Sequence, residues 1–184
     1  ATLHAVRSLG AKVAESDESI EITGCDGRFA APAGILDLGN SGTGMRLLAG
    51  LLAGHAFSCE LTGDASLCSR PMNRIKAPLE AMGARVDLVG AGGRPPMRIT
   101  GGGLHGVRYA LPVASAQVKS CVLLAGLLAG GRTEVVEPVP TRDHTERLLY
   151  AMGVKIERDA DVIGLNGSAG ERISLKGGAW DVPG

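Results

Sequence analysis

Leu79-Glu-Ala-Met-Gly-Ala-Arg-Val86 decides the fold, because the chain writes it three times. It stands first as Val6-Arg-Ser-Leu-Gly-Ala-Lys-Val13 and again as Leu149-Tyr-Ala-Met-Gly-Val-Lys-Ile156. The glycines Gly10, Gly83 and Gly153 are 73 and 70 residues apart. Each sits where a helix should stop, as a left-handed residue just past the last turn. Each copy then leads into a short strand-like run that closes on a glycine: Ile20-Glu-Ile-Thr-Gly24, Met97-Arg-Ile-Thr-Gly101 and Ile163-Gly-Leu-Asn-Gly167.

A second repeat interleaves with the first. Leu47-Leu-Ala-Gly-Leu-Leu-Ala-Gly54 and Leu123-Leu-Ala-Gly-Leu-Leu-Ala-Gly130 are the same octapeptide. A fixed period of this size marks copies of one supersecondary unit. Here the unit reads strand, inner helix, strand, outer helix, two strands. The inner segments, 40–54 and 115–130, are apolar nearly all round and predict helices buried on every side. The outer segments, 70–83 and 141–153, carry one stripe each: Met72, Ile75, Leu79 and Met82, then His144, Leu148 and Met152. Strands are expected at 59–62, 86–89, 107–111, 133–136 and 173–175.

The expected fold is α/β (α+β): a single lobe over 1–184 of repeated βαβαββ units with pseudo-threefold symmetry, buried inner helices and sheets outside. The first copy, roughly 1–34, holds only the end of its outer helix and the strands after it. The second runs roughly 35–106 and the third roughly 107–178; 179–184 reads as the start of a linker to a further lobe. The chain thus reads as one piece of a longer protein.

Composition narrows the function. Nineteen Lys and Arg balance nineteen Asp and Glu, and the pI is near 7.1, so nothing favours a nucleic-acid or membrane-surface partner. Aromatics are 3%, too few for base-stacking platforms. Cys25, Cys59, Cys68 and Cys121 show neither a C-x-x-C pair nor zinc spacing. They read as free thiols in a reducing cytosol, and the expected location is cytoplasmic. No signal peptide is visible and no apolar run reaches ~18 residues. No metal or cofactor is expected.

The chemistry is expected at helix starts, where free N–H groups and the positive dipole end attract anions. Four starts are polar. Gly39-Asn-Ser-Gly-Thr-Gly-Met-Arg46 opens the first inner helix and Ser115-Ala-Gln-Val-Lys119 the second. Ser69-Arg-Pro71 opens the first outer helix, with Ser69 as its N-cap and Pro71 in its first turn. Thr141-Arg-Asp-His144 opens the second, where Asp143 and Glu146 have capping-box spacing. If the units are related by rotation, all four starts share one edge, which would suit a ligand with two anionic groups. Taken singly, each residue has an ordinary alternative. Gly39, Gly42 and Gly44 fit neither G-x-G-x-x-G nor a P-loop and could be a tight turn. Asn40, Ser115 and Thr141 could be caps only, Arg70 and Arg142 solvated charges, and His144 a packed histidine. Lys119 and Arg46, at the edges of buried helices, each need an anion, a carbonyl or an internal ion pair.

At these residues the sequence resembles the 5-enolpyruvylshikimate-3-phosphate synthase family. Leu38-Gly-Asn-Ser-Gly-Thr-Gly-Met-Arg46, Arg70-Pro71 after Gly63-Asp64, Ala114-Ser-Ala-Gln-Val-Lys119 and Thr141-Arg-Asp-His-Thr-Glu146 carry the resemblance, in order along nearly the whole chain. It implies two similar lobes with substrates in the cleft between them, this chain being most of the N-terminal lobe. It implies transfer of the enolpyruvyl group from phosphoenolpyruvate to the 5-hydroxyl of shikimate 3-phosphate, with release of phosphate, through a tetrahedral intermediate and without a metal. By the resemblance, Asn40, Gly42, Arg70 and Gln117 belong to the phosphoenolpyruvate side. Ser115, Ala116 through its backbone, Gln117, Thr141 and His144 belong to the shikimate 3-phosphate side. Thr43, Arg46 and Leu47 shape the loop. Glyphosate, which competes with phosphoenolpyruvate in this family, is an expected inhibitor.

The family's Lys-Ser pair and its following Arg lie outside this chain, and so do the Asp, Glu and Lys used for proton transfer. The catalytic acid and base are therefore expected elsewhere, and the C-terminal lobe, or self-association, is an expected partner. Ala116 stands where many members have a second Ser. Leu47 replaces a frequent Pro, and Leu47→Pro is expected to change glyphosate inhibition in a complete enzyme. Other readings are the enolpyruvyl transferase acting on a UDP-sugar, whose reactive-cysteine loop finds no match, and RNA 3′-terminal phosphate cyclase, which the neutral charge disfavours. A third is a non-catalytic lobe, or a fragment that binds shikimate 3-phosphate and works only by complementation.

Overall fold

The three repeated glycines end three helices in the same way. In the computed structural model, which describes residues 1–171 and 173–181, they follow α1 (Thr2–Ser8), α4 (Asn73–Ala81) and α6 (His144–Ala151). Gly10, Gly83 and Gly153 have φ of +103°, +106° and +92°. The next amide reaches back across the turn, Ala11 to the Val6 carbonyl, Ala84 to Leu79 and Val154 to Leu149, at 3.1, 3.0 and 2.9 Å. This double-bonded C-terminal turn reverses the chain into the strand that follows, and only glycine takes that backbone without strain.

After α1 come β1 (Lys12–Glu15) and β2 (Ile20–Thr23), an antiparallel pair. The next unit runs β3 (Leu36–Asp37), α2 (Gly42–Ala53), β4 (Ser58–Thr62), a short α3 (Ala65–Cys68), α4, β5 (Arg85–Gly90) and β6 (Arg94–Thr100). The last runs β7 (Arg108–Ala110), α5 (Ala116–Gly126), β8 (Arg132–Val136), α6, β9 (Glu157–Asp159) and β10 (Val162–Asn166). Their sheets are ordered β3-β4-β6-β5 and β7-β8-β10-β9. In each, the first two strands are parallel and the rest antiparallel. The repeat in sequence is thus a repeat in topology, with mixed sheets as the α/β reading expects.

The inner helices α2 and α5 pack on each other at the centre. Met45, Leu48, Ala49 and Leu52 of α2 and Cys121, Val122, Leu123 and Ala125 of α5 are buried. Burying each Leu or Val side chain contributes about 1.5–3 kcal/mol, which makes this contact a large apolar contribution to the fold. Gly50 sets the approach: a Cβ there would lie 2.2 Å from the Cys121 carbonyl oxygen. All four cysteines are free, and burial pushes the Cys59 and Cys121 thiols up to about 11 and about 12. No helix among the described residues is long and apolar enough to cross a membrane.

Several local expectations are corrected. Residues 173–175 form no strand; both neighbours of β10 are already β8 and β9, and the chain instead runs back so that the Lys176 amide bonds the Met152 carbonyl at 2.8 Å. The second inner helix stops at Gly126, not near 130. The first outer helix begins at Asn73, because Ser69 turns its hydroxyl back to the Ser66 carbonyl at 2.8 Å and closes α3 instead of capping α4. Arg70 and Pro71 lie in the link between the two helices. The Asp143–Glu146 capping box does not form: Asp143 makes no side-chain cap and Glu146 points inward to Lys119. The buried face of α6 is therefore Glu146 and Leu149, and His144 and Leu148 are exposed. Of the expected linker 179–184, residues 182–184 lie outside the described residues.

Candidate functional site

Three of the predicted starts converge through Gln117. Ser41 caps α2, its hydroxyl accepting from the Gly44 amide at 3.0 Å, and Ser115 caps α5, accepting from Val118 at 3.4 Å. These caps turn the first turns of both inner helices to the same edge. Gln117 bridges them: its Nε2 donates to Thr43 Oγ1 at 2.7 Å and its Oε1 accepts from Arg46 Nη1 at 3.0 Å. A guanidinium only donates, so the amide orientation is forced. Arg46 also donates to the Gly42 carbonyl at 3.1 Å and the Pro71 carbonyl at 3.3 Å, tying α2 to the link before α4. Its partners are carbonyls, not an anion. Burial lowers its pKa, and the Arg70 and Arg74 charges lower it further.

Asn40, Gly42 and Arg70 form one side. Arg70 donates to Asn40 Oδ1 and, at 3.2 Å, to Ser66 Oγ. Asn40 Nδ2 donates to Asp64 Oδ2 at 2.8 Å, while Asp64 Oδ1 caps α3 at the Leu67 amide, 2.7 Å away. That backbone bond, aided by Asn40 and by the Arg70 charge, holds the Asp64 carboxyl below the usual range. A Cβ on Gly42 would stand 3.0 Å from both Arg46 Nη1 and Arg70 Nη1. The missing side chain thus leaves two guanidiniums facing the helix start, an arrangement that favours an anion.

Ser115, Ala116, Gln117, Thr141 and Arg142 form the other side. With Ala114 and Pro140 they line an open hollow of about 510 Å³. A smaller one of about 170 Å³ adjoins it, lined by Thr43, Leu47, Ala116, Gln117, Ser120, Arg142, His144 and Thr145. Ser120 and Thr145 hydroxyls bond at 2.7 Å beneath it and join α5 to α6. His144 reaches the site from the exposed face of α6. The sequence places Arg142 in a polar helix start, with a solvated charge as the alternative and no ligand role of its own; it lines both hollows. Sequence reasoning missed Asp64 and Glu137. Asp64 was legible as an N-cap after Gly63, and Glu137 as the acid that the buried Lys119 requires.

The EPSP synthase (3-phosphoshikimate 1-carboxyvinyltransferase) family matches residues 1–184. The 3-phosphoshikimate 1-carboxyvinyltransferase of Methylococcus capsulatus is 56% identical over 165 residues, 88% of this chain and 37% of that protein. That of Thermus thermophilus is 55% identical over 157 residues, 85% of this chain and 37% of that protein. The structure of EPSP synthase from Acinetobacter baumannii matches with a TM-score of 0.89 at 48% identity, covering 95% of this chain and 39% of that one. The chain spans well under half the length of the relatives it matches. The match along its whole length and the shared fold bear out the resemblance carried by the four motifs: the chain belongs to the EPSP synthase (3-phosphoshikimate 1-carboxyvinyltransferase) family.

Proposed function

We propose that this chain supplies the substrate-holding edge of an enzyme that transfers the enolpyruvyl group from phosphoenolpyruvate to the 5-hydroxyl of shikimate 3-phosphate, releasing phosphate. One observation carries the reading: Gln117 joins an anion-facing pair of arginines over Gly42 to the hollow of Ser115, Thr141 and Arg142. Two anionic substrates can then lie side by side across one amide. On the first side Arg70 clamps the phosphate or carboxylate of phosphoenolpyruvate, with Asn40 holding the guanidinium in place. Arg46 and Thr43 fix the Gln117 amide from behind, and Gly42 leaves room at the backbone. On the second side Ser115, the Ala116 backbone, Thr141, Arg142 and His144 hold shikimate 3-phosphate. Glyphosate, as an anion competing with phosphoenolpyruvate, would fall on the first side.

The groups named here bind and orient; none of them forms an acid–base pair across the hollow. The chain by itself therefore binds shikimate 3-phosphate and turns over only when the rest of the protein is supplied. Titration calorimetry with shikimate 3-phosphate tests the reading. Gln117→Ala is expected to weaken binding about tenfold or more, as the loss of a hydrogen bond to a charged group does, and Arg70→Ala less. Absence of binding at millimolar ligand, or an equal loss in both variants, would reject it.

A further inference from the structure

We propose that the buried Lys119–Glu137 pair is a positioning device: it pins Thr141 at the rim of the hollow and turns the Thr141 hydroxyl proton inward, so that Thr141 meets a ligand as an acceptor only. The ligand half of this inference rests on the reading given above. Glu137 follows the last residue of β8, and its amide donates to the Asp161 carbonyl at 2.7 Å, which fixes its backbone. Neither its side chain nor that of Lys119 has any exposed surface. Lys119 Nζ lies 2.9 Å from Glu137 Oε1, 3.1 Å from Oε2 and 2.7 Å from Glu146 Oε1. The guanidinium of Arg158 stands 3.7 Å from Glu137 Oε2. Three elements of the last unit, α5, α6 and the end of β8, are thus locked through one ammonium.

Forward of this lock, Glu137 Oε1 accepts two bonds from Thr141, one from its amide at 2.9 Å and one from its hydroxyl. Burial opposes ionisation of Glu137, but the bonds from Thr141 and Lys119 and the Lys119 charge prevail and hold its carboxyl below the usual range. An ionised carboxylate only accepts, so the hydroxyl must donate inward and keeps only lone pairs for the hollow. The neighbours are set the other way. The Ser115 hydroxyl accepts from Val118 and keeps its proton free. Gln117 has its oxygen taken by Arg46 and one N–H by Thr43, leaving one N–H. Arg142 only donates. The edge therefore offers donors at Ser115, Gln117 and Arg142, whereas the Thr141 hydroxyl is committed to accept. That pattern fits a ligand carrying an anionic group and a free hydroxyl, as a phosphorylated polyol does, better than an anion alone. A buried ion pair gains little over apolar packing of the same volume, so its use here is better explained by what it holds than by stability.

The test uses the isotopically labelled chain. Glu137→Ala is expected to lower the protection of the Thr141 amide from hydrogen exchange roughly tenfold or more relative to the β6 amides, as the loss of a bond to a charged acceptor does. Glu137→Gln keeps a carbonyl oxygen and is expected to restore most of that protection. In parallel titrations, Glu137→Ala should weaken shikimate 3-phosphate about tenfold while leaving inorganic phosphate nearly unchanged. Thr141 protection that is unaltered, or that falls only in step with β6, overturns the proposal, and so does an equal loss for both ligands. If the unmodified chain binds no shikimate 3-phosphate, the function proposed above fails, and Thr141 exchange alone still decides the positioning. Should Glu137→Ala not fold, Glu137→Leu, which refills the volume and leaves Lys119 paired with Glu146, gives the same readout.

Discussion

The two complete units meet the same packing problem with opposite chemistry. Strand β4 laid on β8, and the cap Ser41 laid on Ser115, give the same offset of 74 residues. Met45 then falls on Lys119 and Gly63 on Glu137. Met45 is fully buried and apolar, and Gly63 admits no side chain, since a Cβ would lie 2.4 Å from the Gly39 carbonyl oxygen and from Leu67 Cδ2. In the other unit the same two places hold a buried ammonium and a buried carboxylate. The fold therefore does not need the ion pair at that level. The first of these units instead keeps its polar network outside, in Asn40, Asp64 and Arg70. One edge is thus shaped by surface groups free to exchange water for ligand, the other by a charge fixed in the interior.

Giving the later unit the earlier unit's residue is the strongest way to break this comparison. Lys119→Met leaves Glu137 and Glu146 buried without their ammonium and should cost about 3–5 kcal/mol, read from urea unfolding. Lys119→Met/Glu137→Gln removes one of the stranded charges and should recover at least about 1 kcal/mol of that loss. An equal loss in the single and double variants would mean that packing, not charge, separates the units. The pH profile sharpens the point. The folded-state pKa of Glu137 lies below its ordinary value of 4.5, so the unfolded chain binds the proton more readily. Its contribution is complete above that value and is lost as pH falls through it toward the lowered one. Glu137→Gln should flatten the acid limb of a stability–pH curve, and an unchanged limb would place the acid sensitivity elsewhere.

The repeat carried the unit order, the inner and outer helices and the glycine turns into plain view, because each rests on local chemistry written more than once. The four motifs likewise marked both sides of the edge. What stayed hidden depends on contacts distant in sequence. The octapeptide 47–54 is helical through Ala53, whereas its twin at 123–130 leaves the helix after Gly126. In the twin, the amides of Ser168, Gly170 and Ala169 take the carbonyls of Leu127, Leu128 and Ala129, and helix bonds shorten to three-residue spacing. The eight residues alone do not tell them apart; Leu47 stands six residues past its cap and Leu123 eight past its own, so the twin overruns its helix. Glu146 looked like a capping residue by spacing, but a buried Lys119 on another helix outbids an exposed amide for its charge. That one rotation also moves His144 and Leu148 outward. Arg142 could not be told from a solvated arginine until Pro140 and Ser115 closed a hollow around it.

A smaller effect is expected where the inner helices of the two units touch. Gly50 of α2 lets the Cys121 carbonyl of α5 approach to within 2.2 Å of where a Cβ would stand. The obstacle is backbone, which cannot swing aside as a side-chain tip can. Gly50→Ala should force the helices apart at a cost of about 1–3 kcal/mol, although alanine is the better helix former. The melting temperature should fall, and ligand affinity should fall with it, because Gln117 bridges the two helix starts. A stabilised variant would show that the two helices can part without loss.

The smallest predicted difference lies between the two serine caps. Ser41 Oγ accepts from Gly44 at 3.0 Å, while Ser115 Oγ accepts from Val118 at 3.4 Å, near the limit of a useful bond. Ser41→Ala should cost about 1 kcal/mol and Ser115→Ala less, both read by thermal unfolding. Binding should rank them the other way. Ser115 lines the larger hollow with its own proton uncommitted, whereas Ser41 lines neither hollow. Ser115→Ala should therefore weaken shikimate 3-phosphate by more than its effect on stability, and Ser41→Ala should leave affinity nearly unchanged once unfolding is accounted for. If the two variants lose stability and affinity in the same proportion, the weak cap is only a weak cap. If they separate, the longer bond at Ser115 marks a hydroxyl held back from its helix for a ligand.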